Sequence, residues 1–134
     1  MVSIIICCYN AASFIDRCFN SLLSQTYKHL EIILVDDGST DHSYEIASSY
    51  KQYFEVQGMK LVLLRQNNQG AGYAAAHGLL YATGDYIICF DIDDYLYPES
   101  IAKMRNFLVQ NSEYSVVRTN GYKTKEFNNL NTAQ

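Results

Sequence analysis

Asp91, Asp93 and Asp94 stand at the end of an apolar run, in Cys89-Phe90-Asp91-Ile92-Asp93-Asp94. A buried strand that ends in clustered carboxylates brings like charges together, and a cation among them relieves the repulsion. Asp91 and Asp93 are two apart, so in an extended segment both side chains project to the same side. Carboxylate oxygens are hard ligands suited to Mg²⁺ or Mn²⁺, ions that often bridge a few protein carboxylates to substrate phosphates. The plain alternative is a solvated acidic turn leading into a helix that Pro98 opens, and the triplet alone does not decide between the two.

A second acidic stretch, Asp36-Asp37-Gly38-Ser39-Thr40-Asp41, follows another apolar run. A carboxylate at such a strand end accepts hydrogen bonds from a base N–H or from ribose hydroxyls, and Gly38 permits a sharp turn. The competing reading is a helix N-terminus stabilised by acids, which accounts for Asp41 better than for Asp36. Asn68-Gln69-Gly70-Ala71-Gly72 precedes a helix. It lacks the Gly-Lys-Ser/Thr ending of a P-loop and is no dinucleotide fingerprint, but its N–H groups would meet a phosphate at a helix start. His29, His42 and His77 are dispersed, with none at ligand spacing and His77 near the acidic residues in sequence order only. Cys7, Cys8, Cys18 and Cys89 show no metal-ligand spacing, and most read as small hydrophobes in apolar strands, as in a reducing compartment.

These residues need a frame. Val2–Cys8, Glu31–Val35, Lys60–Leu64 and Tyr86–Phe90 are β-branched, apolar runs of the kind buried on both faces of a parallel sheet, and Ser115–Thr119 reads as a short fifth strand. Between them lie helices. One is capped by Ser13 with Asp16 as its capping-box partner, one is capped by Ser39 or Thr40 and runs to about Phe54, and one covers about Gly72 to Thr83 and ends at Gly84. The last has Pro98 at its first position and runs to about Asn111. The alternation predicts an α/β fold, a three-layer α/β/α sandwich with a mainly parallel sheet and right-handed crossovers. Ligands of such sheets bind at the carboxyl ends of the strands, so the segments at Cys8-Tyr9-Asn10, Asp36–Ser39, Arg65–Asn68 and Asp91–Asp94 are expected to converge on one cleft.

With 134 residues, 49% hydrophobic and 18% charged, the chain has the size and balance of one globular domain. A net charge of −4 argues against a general nucleic-acid binder. The longest apolar run, Val2–Cys8, is too short to span a bilayer and lacks signal-peptide flanks, so a cytoplasmic protein without a transmembrane segment is expected. The polar stretch 121–134 reads as a frayed tail.

Taken together, these segments resemble the nucleotide-sugar-binding half of a family 2 glycosyltransferase with the GT-A fold. The pieces occur in the family's order: Val2–Ile6 through Tyr9-Asn10, Ser24-Gln25-Thr26-Tyr27, Glu31–Asp41, Asn68-Gln69-Gly70, Gly84–Ile87, and Asp91–Asp94 with Pro98 after it. The resemblance covers about residues 2–120 and implies a donor domain over 1–120, with 121–134 the start of an acceptor half. It implies that Cys7 to Tyr9 line the base pocket with the Tyr9 ring stacked on the base. Asp37 accepts a hydrogen bond from the base, and Asn68 and Gly70 belong to the donor-binding set. Asp91 faces the ribose or the metal, and Asp93 is the principal ligand of Mg²⁺ or Mn²⁺. The implied reaction is inverting transfer from a nucleoside-diphosphate sugar, with UDP favoured, to a hydroxyl of a glycan or lipid-linked glycan, and the implied location includes the inner membrane surface. Ala75 and Ala76 stand where many relatives carry an Arg-Asn pair, leaving Arg65 as the candidate basic contact. The family's general base lies beyond Gln134, and no residue here takes that role. A non-catalytic nucleotide-sugar-binding module, or an inactive fragment lacking the acceptor half, is the competing function. Receivers place their acidic pair after the first strand, and nucleotidyltransferases carry a basic triphosphate loop, so neither fits. An incompletely covered sheet also predicts self-association.

Overall fold

The structure is a computed structural model that describes residues 1–121. The Ile- and Val-rich runs form β1 (Val2–Cys8) and β2 (Leu30–Asp36), and both are buried almost throughout. They are the central strands of a sheet ordered β3-β2-β1-β4, with β3 (Lys60–Arg65) and β4 (Tyr86–Asp91) at its edges and every pairing parallel. Strand order explains the layers. The chain steps from β1 outward to β2 and β3, then crosses back past β1 to β4. Right-handed crossovers in opposite directions place their helices on opposite faces. Accordingly α1 (Ala12–Leu23), α2 (Ser43–Ser49) and α3 (Lys51–Val56) share one face with α5 (Ser100–Gln110). The other face is covered by α4 (Ala71–Leu79).

The larger core lies on the first face. Ile4, Ile6, Ile32 and Leu34 meet Ile15, Phe19, Leu22, Phe54 and Ile101 there. Phe19 packs edge-on against Phe54 and against Tyr50, each at 5.2 Å between ring centroids. Fully burying each such aliphatic or aromatic side chain stabilises the fold by about 1.5–3 kcal/mol. On the second face α4 lies close to the strands: a Cβ at Gly78 would stand 2.8 Å from Ile5 Cγ2 and 3.2 Å from Val35 Cγ2.

Several expected boundaries move. Ser115–Thr119 forms no strand; Val116 is 80% exposed and no described strand pairs outside β4. The helix expected to reach Phe54 is divided at Tyr50. The small-residue helix ends at Leu79 rather than Thr83, and Gly84 serves instead as a close-approach point whose N–H donates to Ser3 Oγ. Pro98 precedes the first turn of α5 rather than opening it, and its carbonyl accepts from Thr26 N. Neither Ser13, Ser39 nor Thr40 caps a helix. Asp41, from the loop after β2, and Ser43, the first residue of α2, accept the N–H groups of Ala12 and Ala11 at the start of α1. A cap supplied by another element leaves no local sequence signature. The expected tail, apart from Gly121, lies outside the described residues. Among the described residues no helix is long and apolar enough to cross a membrane.

Candidate functional site

Register brings the predicted segments together. Cys8 pairs with Asp36, Asp36 with Arg65, and Cys7 with Asp91, so four strand ends lie side by side. The sheet's order reverses between β1 and β4, where the crevice of an open α/β sheet receives its ligand. The first half of the crevice is closely hydrogen-bonded. Asp37 N donates to Cys8 O at 2.8 Å. Asn10 adopts a left-handed φ of +46°, a conformation Asn tolerates. Its Oδ1 accepts from Thr40 N at 2.8 Å, and its N–H donates to Ser39 Oγ. Tyr9, next to it, leaves half its surface free at 52% exposure.

Asp37 is buried, yet it is a hub. Its Oδ1 accepts from Gln66 Nε2 at 2.7 Å and from Gln69 N at 2.9 Å, and its Oδ2 accepts from Gly70 N at 2.9 Å. Burial pushes the carboxyl's pKa up, but these donors outweigh it and hold the group below its ordinary range. Two consequences follow. The N–H groups of Gln69 and Gly70 belong to Asp37, so they do not form the phosphate cradle that the glycine-bearing loop suggested. Gly70, at φ +95°, shapes the turn into α4. Asn68 passes close behind Gly38, where φ is +77° and a Cβ would meet Asn68 N at 2.8 Å. Arg65 Nε lies 2.9 Å from buried Asp36 Oδ2, and its guanidinium sits over the Tyr44 ring at 4.7 Å. The side chain proposed as a basic donor contact thus already has two partners. Asp36 Oδ1 accepts from Ser39 N, which makes Asp36 structural.

The second half is the acidic turn. β4 ends at Asp91, and Asp94 N donates back to Asp91 O at 3.1 Å. Asp91 and Asp93 therefore do not share an extended strand, and it is a turn that groups the carboxylates. Burial raises the Asp94 pKa, and the charges of Asp91 and Asp93 raise it further, while Arg17 opposes them. Arg17, which sequence reasoning missed, reaches from α1 to the Asp93 carbonyl and packs over Phe14 at 5.4 Å. Cys7 links the halves. Its pKa is raised by burial, then by Cys89, Asp37 and Asp91. Cys89 itself is exposed on the edge strand rather than buried. His77, discounted on sequence, donates or accepts at Gln66 Oε1 across 3.0 Å and so joins the Asp37 hub. Among the described residues no three His, Cys, Asp or Glu side chains enclose a metal position.

A parallel sheet of order β3-β2-β1-β4 whose strand ends gather an exposed aromatic ring, a hydrogen-bonded acid and an acidic turn is the arrangement of a GT-A fold. The chain belongs to Glycosyl transferase family 2, whose profile matches residues 3–133. It is 43% identical over 97 residues to YibD, an uncharacterized glycosyltransferase of Escherichia coli (strain K12), a match covering 72% of this chain and 27% of that protein. The fold is similar to S. aureus TarS 1-349 in complex with UDP-GlcNAc, with TM-score 0.72 and 29% identity over 83% of this chain and 32% of that one. It is also similar to the mannosyltransferase PcManGT of Pyrobaculum calidifontis in complex with GDP-Man and Mn²⁺, with TM-score 0.70 and 25% identity over 80% of this chain and 32% of that one. The chain spans less than half the length of the curated relatives it matches.

Proposed function

We propose that this chain is the donor-binding part of an inverting glycosyltransferase. It binds a nucleoside-diphosphate sugar, with UDP the carrier, at the carboxyl ends of β1, β2 and β4, and the transferred sugar goes to a glycan or lipid-linked glycan hydroxyl. The observation that carries this reading is the convergence of the Asp37 hub and the 91–94 turn on one crevice, where the sheet order reverses.

The donor set fits a divalent cation. The side chains the turn offers are carboxylates, hard oxygen ligands, and Asp94 feels the charges of both Asp91 and Asp93. Asp93 and Asp91 would hold Mg²⁺ or Mn²⁺. A bound cation would offset the charge that grows on the departing nucleoside diphosphate. The chain's own residues do the rest. Tyr9 offers its exposed ring to the base, and Asp37 offers an acceptor to a base N–H. Arg17 holds the carbonyl of Asp93 and with it the turn's shape. Cys7 stays protonated beside the acids, so it contributes surface rather than a nucleophile.

The experiment is calorimetric titration of UDP into the protein with Mn²⁺ or Mg²⁺, repeated with EDTA, on wild type and Asp93→Ala. Binding that needs the ion and weakens at least about tenfold in Asp93→Ala supports the reading. Equal binding with EDTA, or none by a folded protein, refutes it.

A further inference from the structure

Asp37 can be read one lone pair at a time. A carboxylate has about four acceptor positions, two on each oxygen. Oδ1 already serves two donors, Gln66 Nε2 and Gln69 N, while Oδ2 serves one, Gly70 N. The orientation of Gln66 is fixed by its neighbour. An ionised carboxylate only accepts, so the Gln66 NH₂ points at Asp37 and its Oε1 points away. That oxygen meets His77 Nδ1 at 3.0 Å, so Nδ1 must carry the proton and donate. His77 is held in turn by Tyr81, edge-on at 5.7 Å. The row runs from α4 through the end of β3 to the end of β2, and it aims a side-chain donor at one oxygen of the acid.

We propose that Gln66, positioned by His77, is a specificity-determining residue: by filling Oδ1 it leaves Asp37 a single open acceptor, at Oδ2, which selects a base with one in-line N–H. This rests on the donor-site reading above. Uracil presents one N3–H between two carbonyl oxygens and matches one acceptor. Guanine presents N1–H and an N2 amino group side by side, and satisfying both calls for two free carboxylate oxygens. Cytosine presents an unprotonated N3 and would set acceptor against acceptor. A buried polar group that loses its match discriminates far more strongly than an apolar contact does. Gln66 also lines a recess of about 550 Å³ with Gly38, Ser39, Arg65 and Asn67.

The test compares UDP, GDP and CDP by calorimetry in the presence of Mn²⁺, on wild type, Gln66→Ala, His77→Ala and His77→Asn, each first shown to be folded by circular dichroism. Wild type should favour UDP over GDP and CDP by about tenfold or more, the worth of one hydrogen bond to a charged group. Gln66→Ala should narrow the UDP-to-GDP ratio by a similar factor, because Oδ1 becomes available to guanine. His77→Ala should narrow it less. His77→Asn, whose amide can donate where Nδ1 did, should restore the wild-type ratio. Loss of affinity for both nucleotides at a constant ratio would mean that Gln66 is only structural and overturns the inference, as would a wild type that favours GDP. If wild type binds none of the nucleotides, the donor-site reading itself fails and this inference with it.

Discussion

Replacing Asp37 with Ala tests whether the hub is what holds the crevice's first half together. The carboxylate accepts three hydrogen bonds, and bonds to a charged group contribute about 1.5–3 kcal/mol each. Simple addition overstates the loss. Gln69 and Gly70 lie on the surface, so their N–H groups turn to water once the acid is gone, and removing a buried carboxylate also removes its desolvation penalty. The net loss should be about 2–3 kcal/mol, read as a lower urea midpoint at unchanged slope and a Tm lower by about 6–12 °C. The pH dependence gives a second handle. The folded-state pKa of Asp37 lies below its ordinary value of 3.8, so its contribution is complete above that value and disappears as pH falls through the folded one. Wild type should therefore lose stability below about pH 4 more steeply than Asp37→Ala does. A loss under about 0.5 kcal/mol, with identical acid limbs, would refute the reasoning and leave the hub a consequence of the fold.

Other expectations concern the frame. Glu31, fully buried at the opposite end of the sheet, accepts from Ser3 Oγ, Thr83 N and Lys60 Nζ at 2.7, 2.9 and 3.1 Å. Glu31→Gln places an amide donor among those donors, and urea unfolding should show a loss of about 2–4 kcal/mol. Burial raises the Glu31 pKa, but these partners lower it further, so its share of stability is present above 4.5 and fades in acid; a variant with the wild-type acid limb would contradict this. Gly78→Val should lower stability by about 1–3 kcal/mol by pushing α4 off Ile5 and Val35, and calorimetry showing an unchanged Tm would mean that the helix has room to shift.

The amino-acid sequence by itself determined the architecture. Runs such as Ser3-Ile4-Ile5-Ile6 and Glu31-Ile32-Ile33-Leu34-Val35 have the composition only doubly covered strands carry, and their alternation with helical spacing leaves a parallel sheet as the frame. It also placed the acids Asp37, Asp91 and Asp93 at strand ends. Where the reading relied on local geometry it slipped. Asp93 sits in a turn after Asp91 has ended β4, Ser115–Thr119 stays outside the sheet, and α1 takes its caps from Asp41 and Ser43, 29 and 32 residues from the groups they cap. What each polar group touches was decided by tertiary structure alone. Gln66 and His77 carry no motif, and Arg17 reads as one more polar helix position. Their contacts exist because strand register and the return of α4 across the sheet bring them to Asp37 and Asp93. Periodicity records which face of an element is buried, whereas a hydrogen-bond partner is fixed only when distant elements meet.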